Sequence, residues 1–181
     1  MRERKGTIKI GILWFSSLCM LLGMMLLIYR FSAANSVQSS HLSQGLSYRL
    51  VCFFRELCPG LASEEALMKL VEFIETPIRK MAHFTEYTIL GWLMQLHLRT
   101  ICFLQVPGKE EAGYHDRRRL PWTGILLGVL YAVTDEIHQY FVPGRACRCM
   151  DVCIDSLGVI TGSLIFLLIF RHLLDGILRK G

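Results

Sequence analysis

Apolar residues fall into four long runs along this chain, at positions 10–29, 77–98, 121–140 and 152–170, separated by segments rich in charge, serine or proline. A helix needs about 20 mostly apolar residues to cross a bilayer. Backbone in lipid must satisfy its own hydrogen bonds, which favours a helix for each run. The pattern predicts an all-α polytopic membrane protein of about four transmembrane helices. The first run follows Arg2, Arg4, Lys5 and Lys9 and precedes Ser32-Ala33-Ala34, as a cleaved signal would. It is longer than the roughly 7–15 apolar residues of such a signal, so it reads as a retained anchor.

Between the first two runs, residues 31–47 are serine-rich and read as irregular. Leu46, Leu50, Phe53, Phe54 and Leu57 then recur at helical spacing. After a Cys58-Pro59-Gly60 break, Ser63 is an N-cap with Glu64 and Glu65 in the first turn. Leu67, Leu70, Val71, Ile74 and Ile78 continue as a stripe. Short amphipathic helices are expected in this first outer loop, lying in the membrane interface or covering helix ends. Thr76-Pro77 suits an N-cap followed by proline at the first helical position, which starts the second span there. Pro107-Gly108 and the charged positions 109–119 are expected to form a solvated loop. Gly124 with Gly128, and Gly158 with Gly162, give small residues four apart. Such spacing lets helices approach closely in lipid, and it predicts that the third and fourth spans pair as a hairpin.

Composition agrees with lipid as solvent. Apolar residues make up 52% and charged residues 19% of the 181, against about 25% charged in soluble domains, and the mean hydropathy is +0.40. The length suits a single membrane domain over 1–181. The net charge of +5 lies in short clusters between apolar runs, so nucleic acid is not an expected partner; the bilayer is. Twelve of the twenty Lys and Arg lie in the N-terminus, positions 99–120 and the tail 171–181. The positive-inside rule then puts both termini in the cytoplasm of a multi-pass protein of the cell membrane. Residues 30–76 and 142–150 face outward.

Polar residues within the apolar runs carry the candidate chemistry. Five of the fifteen acids (Glu86, Asp135, Glu136, Asp151 and Asp155) lie inside or at the edge of spans. Each carboxylate at mid-bilayer costs about 2.5–3.5 kcal/mol even on the lenient insertion scale. Lys80, His83, His138, Gln139 and Arg145 are available as partners. With the predicted topology, Lys80, His83 and Glu86 lie in the outer part of the second span, on one broad face. Asp135, Glu136, His138 and Gln139 lie near the outer end of the third. Asp151 and Asp155 begin the fourth, and Arg145 sits in the connecting turn. Three helices thereby bring polar groups to one level near the outer surface.

The same residues resemble the VanZ-like family of bacterial membrane proteins. The matching blocks are Ile78-Arg79-Lys80-Met81-Ala82-His83-Phe84-Thr85-Glu86-Tyr87, then Thr134-Asp135-Glu136-Ile137-His138-Gln139 running to Pro143-Gly144-Arg145, then Asp151-Val152 with Asp155-Ser156-Leu157-Gly158. The resemblance covers nearly the whole chain. It implies a multi-pass protein of the cell envelope, in a family whose founding member is associated with teicoplanin resistance. Cys147, Cys149 and Cys153 fall outside the shared pattern.

Four readings follow, of which the last, a proton-coupled carrier, trails because the third and fourth runs have few polar residues in their cytoplasmic halves. In the first, the protein binds or modifies a lipid-linked or cell-wall component at the outer leaflet. Lys80 and Arg145 hold an anionic head group, with Gln139, Asp151 and Asp155 completing the site. His83 or His138 carries protons, oriented by Glu86 or Asp135 with Glu136 nearby. The second is an enzyme, for which the same imidazoles and carboxylates offer enough donors for a divalent ion. No H-E-x-x-H or G-x-S-x-G is present, so no metal site is assigned and the cofactor is left unknown. The third is a bundle whose ion pairs only fix helix packing. Seven cysteines, five of them on or near the outer side, leave at least one thiol without an intrachain disulfide.

Overall fold

The computed structural model describes residues 2–57, 63–105 and 112–170, with Leu173 and Gly176 beyond them. Five helices make up the fold: α1 (Arg2–Ser32), α2 (Ser36–Leu57), α3 (Glu64–Gln105), α4 (Ala112–Tyr140) and α5 (Cys149–Ile165). A π-helical turn, Phe166–Phe170, extends α5. No strand occurs among the described residues.

Several boundaries differ from the sequence expectation. The serine-rich stretch is not irregular, because α2 starts at Ser36. Asn35 Oδ1 accepts the Gln38 N–H at 2.9 Å, and Gln38 Oε1 accepts the Asn35 N–H at 3.3 Å. This reciprocal capping box satisfies two N–H groups that the first turn leaves unpaired. Ser63 caps α3 as expected, its hydroxyl accepting the Ala66 N–H. Pro77, however, does not begin a helix, because α3 runs through it for 42 residues, about 60 Å. An interior proline costs about 3 kcal/mol. Pro121 likewise lies inside α4, so positions 112–119 are helical rather than loop. The expected Cys58-Pro59-Gly60 break, the Pro107-Gly108 loop and most of the 171–181 tail lie outside the described residues.

The apolar stripe of α2 faces outward. Leu46, Leu50, Phe53, Phe54 and Leu57 share a face of α2 but are all exposed. Ser43, Ser47 and Val51 form the buried face instead. Serines there let α2 lie close to α3, where Ser43 Oγ and Gln44 Nε2 donate to the two oxygens of Glu75 at 3.0 and 3.2 Å.

α3 is the central element, and its most extensive contact is with α5. A Cβ added at Gly158 would lie 2.6 Å from the Phe84 carbonyl oxygen, and one at Gly162 would lie 1.8 Å from that of Thr88. From the other side, a Cβ at Gly91 would lie 2.2 Å from the Val159 carbonyl oxygen. The contacts advance together along both helices, so α3 and α5 run in the same direction. The glycines of α5 therefore face α3, not α4 as the hairpin expectation had it. Those of α4 are divided, with Gly124 against Gln95 of α3 and Gly128 against Val159 of α5. α4 still adjoins α5, with Val159 wedged between the other two helices.

α1 buries Ser17, Leu21, Met24, Ile28 and Ser32, one helical stripe. Ser17 Oγ lies 3.0 Å from His97 Nδ1 and 3.2 Å from Thr100 Oγ1, tying the first half of α1 to the last third of α3. Tyr131 donates to the Met25 carbonyl at 2.6 Å. The interior is unusually polar, with Asp135, Glu136, Gln139 and Asp155 all buried, while the outside carries Phe15, Leu26, Leu126, Leu130, Ile137 and Leu164. Among the described residues two helices, Ile8–Ser32 and Cys149–Phe170, are long and apolar enough to cross a membrane. α3 and α4 are more polar because Lys80, His83, Glu86, Asp135 and Glu136 interrupt their apolar runs.

Gly162→Ala is expected to lose about 1–3 kcal/mol, read as a lower melting temperature of the detergent-purified protein. Gly23→Ala, with nothing within 4 Å of its added Cβ, serves as the control. Equal melting temperatures for the two variants would contradict the α3–α5 backbone contact.

Candidate functional site

One end of the bundle, where α1 finishes and α5 begins, gathers the polar residues. The turn between α4 and α5 sets one wall. Arg145 N–H donates to the Val142 carbonyl at 3.1 Å, and Gly144 has a φ of 76°. Proline followed by a positive-φ glycine is the pattern of a type II turn, so Pro143-Gly144 fixes where Arg145 starts. Its guanidinium donates to Gln139 Oε1 at 2.9 Å and to the Phe31 carbonyl at 3.1 Å. Gln139 in turn donates to Asp135 Oδ2 at 3.2 Å. Arg145 thus touches two neutral acceptors, and among the described residues no carboxylate lies within ion-pair distance of it. Burial, helped by the neighbouring Arg79 charge, pulls its pKa below the ordinary arginine value, while Asp135, Glu136 and Glu86 pull it back up. It remains a cation.

The facing wall comes from α3. Lys80 Nζ meets Asp151 Oδ1 at 2.7 Å, both side chains about one-third exposed. A pair with that exposure contributes about 0–1 kcal/mol, so a competing anion can take the ammonium at small cost. Arg79 Nη1 lies 4.0 Å from Glu75 Oε1, the carboxylate that also anchors α2. Arg79, Lys80, Arg145 and Arg148 all line one polar recess of about 190 Å³. Asp151 is the one acidic side chain on its wall.

Beside it lies a larger cavity of about 620 Å³ between α2 and α3. Leu42, Leu46, Ile78, Ala82 and Phe31 give it an apolar lining, with Glu86 toward its polar side. Arg79, His83, Arg145 and Ser39 border both spaces. His83 Nδ1 lies 3.8 Å from Glu86 Oε2, beyond hydrogen-bond length. Both atoms are buried without a hydrogen-bond partner among the described residues.

The residues singled out from sequence divide into three groups. Lys80, His83, Gln139, Arg145 and Asp151 line the recess, and Glu86 lines the adjoining cavity. Asp135, Glu136 and Asp155 are buried behind them, with Glu136 Oε1 accepting the Arg148 N–H at 2.7 Å. His138 is brought elsewhere. Its ring stacks on Tyr29 of α1 at 4.8 Å, and it lines neither space. Sequence reasoning passed over Arg79 and Arg148 as site residues. Arg79 was within reach of it, since Arg79, His83 and Glu86 are spaced four and three apart on one helix face. Arg148 was not, because only the turn that ties its backbone N–H to Glu136 brings it to the recess.

Among the described residues, no group of three His, Cys, Asp or Glu side chains is placed to hold a metal ion. Asp151, Glu136 and Asp135 are already engaged by Lys80, Arg148 and Gln139 respectively. Cys147, Cys149 and Cys153 are exposed free thiols, as is Cys19, and Cys52 is a half-buried one; Cys102 is half-buried. Cys58 lies outside the described residues.

Comparison with known proteins places this site in a family. Among curated proteins and among solved structures nothing matches the chain. The profile of the VanZ/LLP1 family matches residues 15–171, which takes in all four helices that build the site and α2 above it. Taken with two helices apolar enough to cross a bilayer, this points to a membrane protein. The chain belongs to the VanZ/LLP1, or VanZ-like, family.

Proposed function

We propose that this protein is a single multi-pass domain of the bacterial cell membrane that binds an anionic, lipid-linked component of the envelope at the outer leaflet. The observation that carries the reading is the cation excess of the recess, four basic side chains against one lining carboxylate, beside an apolar cavity. Arginine forks onto phosphate-like oxygens in two-bond geometry. A cavity of about 620 Å³ is within the range of small-molecule sites.

Four crossings, by α1, the second part of α3, α4 and α5, fit the helix directions. α1 and α3 meet in opposite senses, since Ser17 pairs with His97 late in α3 while Phe31 borders one cavity with Ile78 and Ala82 earlier in it. α3 and α5 run in the same sense. The bias of Lys and Arg toward the opposite end supports cytoplasmic termini and an outward-facing site. Membership in a family with a teicoplanin-resistance founder extends the proposal to glycopeptide susceptibility. Turnover is the second reading, favoured by the unpartnered His83 and Glu86 at the border of the two spaces.

Three outcomes are expected. In intact cells, a membrane-impermeant thiol reagent labels Cys147 and Cys149, whereas a cysteine placed at the N-terminus reacts only after permeabilisation. The reverse pattern would overturn the orientation. Arg145→Gln and Lys80→Gln, in full-length protein in nanodiscs, bind a polyprenyl phosphate about 10- to 100-fold more weakly, as expected for lost charged hydrogen bonds of about 1.5–3 kcal/mol. Neutral polyprenol binding should be weak throughout; equal binding of phosphate and alcohol would sink the headgroup site. At unchanged membrane abundance, Glu86→Gln and Asp135→Asn alter envelope phenotypes, including teicoplanin susceptibility where wild type changes it. No change in any phenotype would leave the polar cluster as a packing device.

A further inference from the structure

Three features of the border between recess and cavity go beyond what holding a ligand requires. His83 borders both spaces, yet its ring makes no hydrogen bond among the described residues. Glu86, one turn along the same face, points an unpartnered carboxylate oxygen at the His83 Nδ1 from 3.8 Å. Lys80, Arg79 and Arg145 flank that ring on the recess side. Ser32, Tyr87, Glu136, His138 and Asp155 also carry a buried polar atom without a partner among the described residues, each such atom costing about 1–3 kcal/mol. Of all these residues only His83 and Glu86 border the two spaces, where a ligand can reach them. A nucleophile, an orienting carboxylate and a cationic cradle are the parts that phosphoryl transfer uses.

We infer that the site hydrolyses the phosphate monoester of a long-chain alcohol, with His83 as nucleophile and Glu86 as the carboxylate that holds its ring. The inference rests on the anionic-amphiphile reading above. The hydrocarbon chain occupies the apolar cavity and the phosphoryl group sits in the recess. A small shift of either side chain brings His83 Nδ1–H into a hydrogen bond with Glu86, which leaves the Nε2 lone pair free toward the ligand.

The steps balance without a cofactor. The ester enters as its monoanion, and the phosphate proton passes to the bridging oxygen. Nε2 bonds to phosphorus as the bond from phosphorus to that oxygen breaks, which releases the neutral alcohol. The ring is now an imidazolium carrying the phosphoryl group, and Glu86 faces its positive charge. Water then attacks phosphorus, the electron pair of the nitrogen–phosphorus bond returns to Nε2, and the water protons leave with dihydrogen phosphate. Lys80, Arg79 and Arg145 stabilise the charge on the non-bridging oxygens in both steps.

His138 does not compete for the role. It stacks on Tyr29 and lines neither space. Asp135 is also set aside, because Gln139 holds it in the chain that ends on Arg145.

The test uses full-length protein in nanodiscs with two probes of the same chemistry, a polyprenyl phosphate and a phosphatidic acid. Binding and release of inorganic phosphate are measured separately for each. Wild type is expected to release phosphate from at least one probe, and the probe it prefers identifies the source of the alcohol. His83→Gln should bind that probe within about threefold of wild type and release phosphate at least 100-fold more slowly. Glu86→Gln should lower the rate while keeping binding. Brief reaction with phosphorus-labelled probe followed by quenching should leave an acid-labile, base-stable label on wild type and none on His83→Gln, a result that a purely structural role would not produce. Binding without phosphate release from either probe would overturn the hydrolysis and leave the binding reading standing. Failure to bind either probe would overturn both. Phosphate release by His83→Gln at the wild-type rate would overturn the assignment of the nucleophile.

Discussion

The backbone contact between α3 and α5 is the constraint on which the rest depends. Where Gly158 and Gly162 face the Phe84 and Thr88 carbonyls, no other residue fits without moving a main chain. In lipid, helices gain nothing from hiding apolar surface from each other, so close packing of this kind has to supply the association. It also sets register. A slip by one turn would carry Asp151 away from Lys80 and Asp155 away from the level of His83 and Glu86. The site is therefore a consequence of glycines that lie outside it, one to three turns further along the bundle.

Given that register, the buried acids have a physical role. Asp135 and Glu136 do not meet the cations directly. Asp135 acts through Gln139, and Glu136 holds the backbone of Arg148 rather than its side chain. Asp135 and Glu136 thus compensate the positive charge at a distance, while the Arg145 guanidinium is held by the neutral Gln139 amide and the Phe31 carbonyl. An intervening amide lets a strongly basic wall exist next to a low-dielectric interior without an equal set of carboxylates on its surface.

The level at which polar residues gather was legible in the sequence, because charge inside apolar runs is costly and its positions on three helices could be aligned by topology. Lys80 with Asp151, and Arg145 with Gln139, follow from that alignment. The partner of each glycine pair was not legible. A G-x-x-x-G says that a helix will approach another closely, but chain adjacency favoured α4 for α5 when the contact lies with α3. His138 failed for a related reason. Its i+3 spacing from Asp135 gives it a neighbouring position on the helix, but Tyr29 of α1 offers a ring face that draws it away from the recess. The α2 helix was hidden by its composition, since serine is read as loop. Here the serines are the packed face and the leucines and phenylalanines the outward one.

That inversion bears on how a ligand reaches the site. The α3–α5 seam is built from main chain against main chain, so it does not open. The wall that α2 forms is held differently, by small side chains and by two hydrogen bonds converging on Glu75. Glu75 also lies 4.0 Å from Arg79, which borders both the recess and the cavity. Glu75 is thus shared between Arg79 and α2, so one carboxylate joins the α2 wall to a residue that borders both spaces. The apolar outer face of α2 lies opposite the apolar lining of the cavity, so on the reading proposed above this flank is the side by which a lipid-linked ligand would enter.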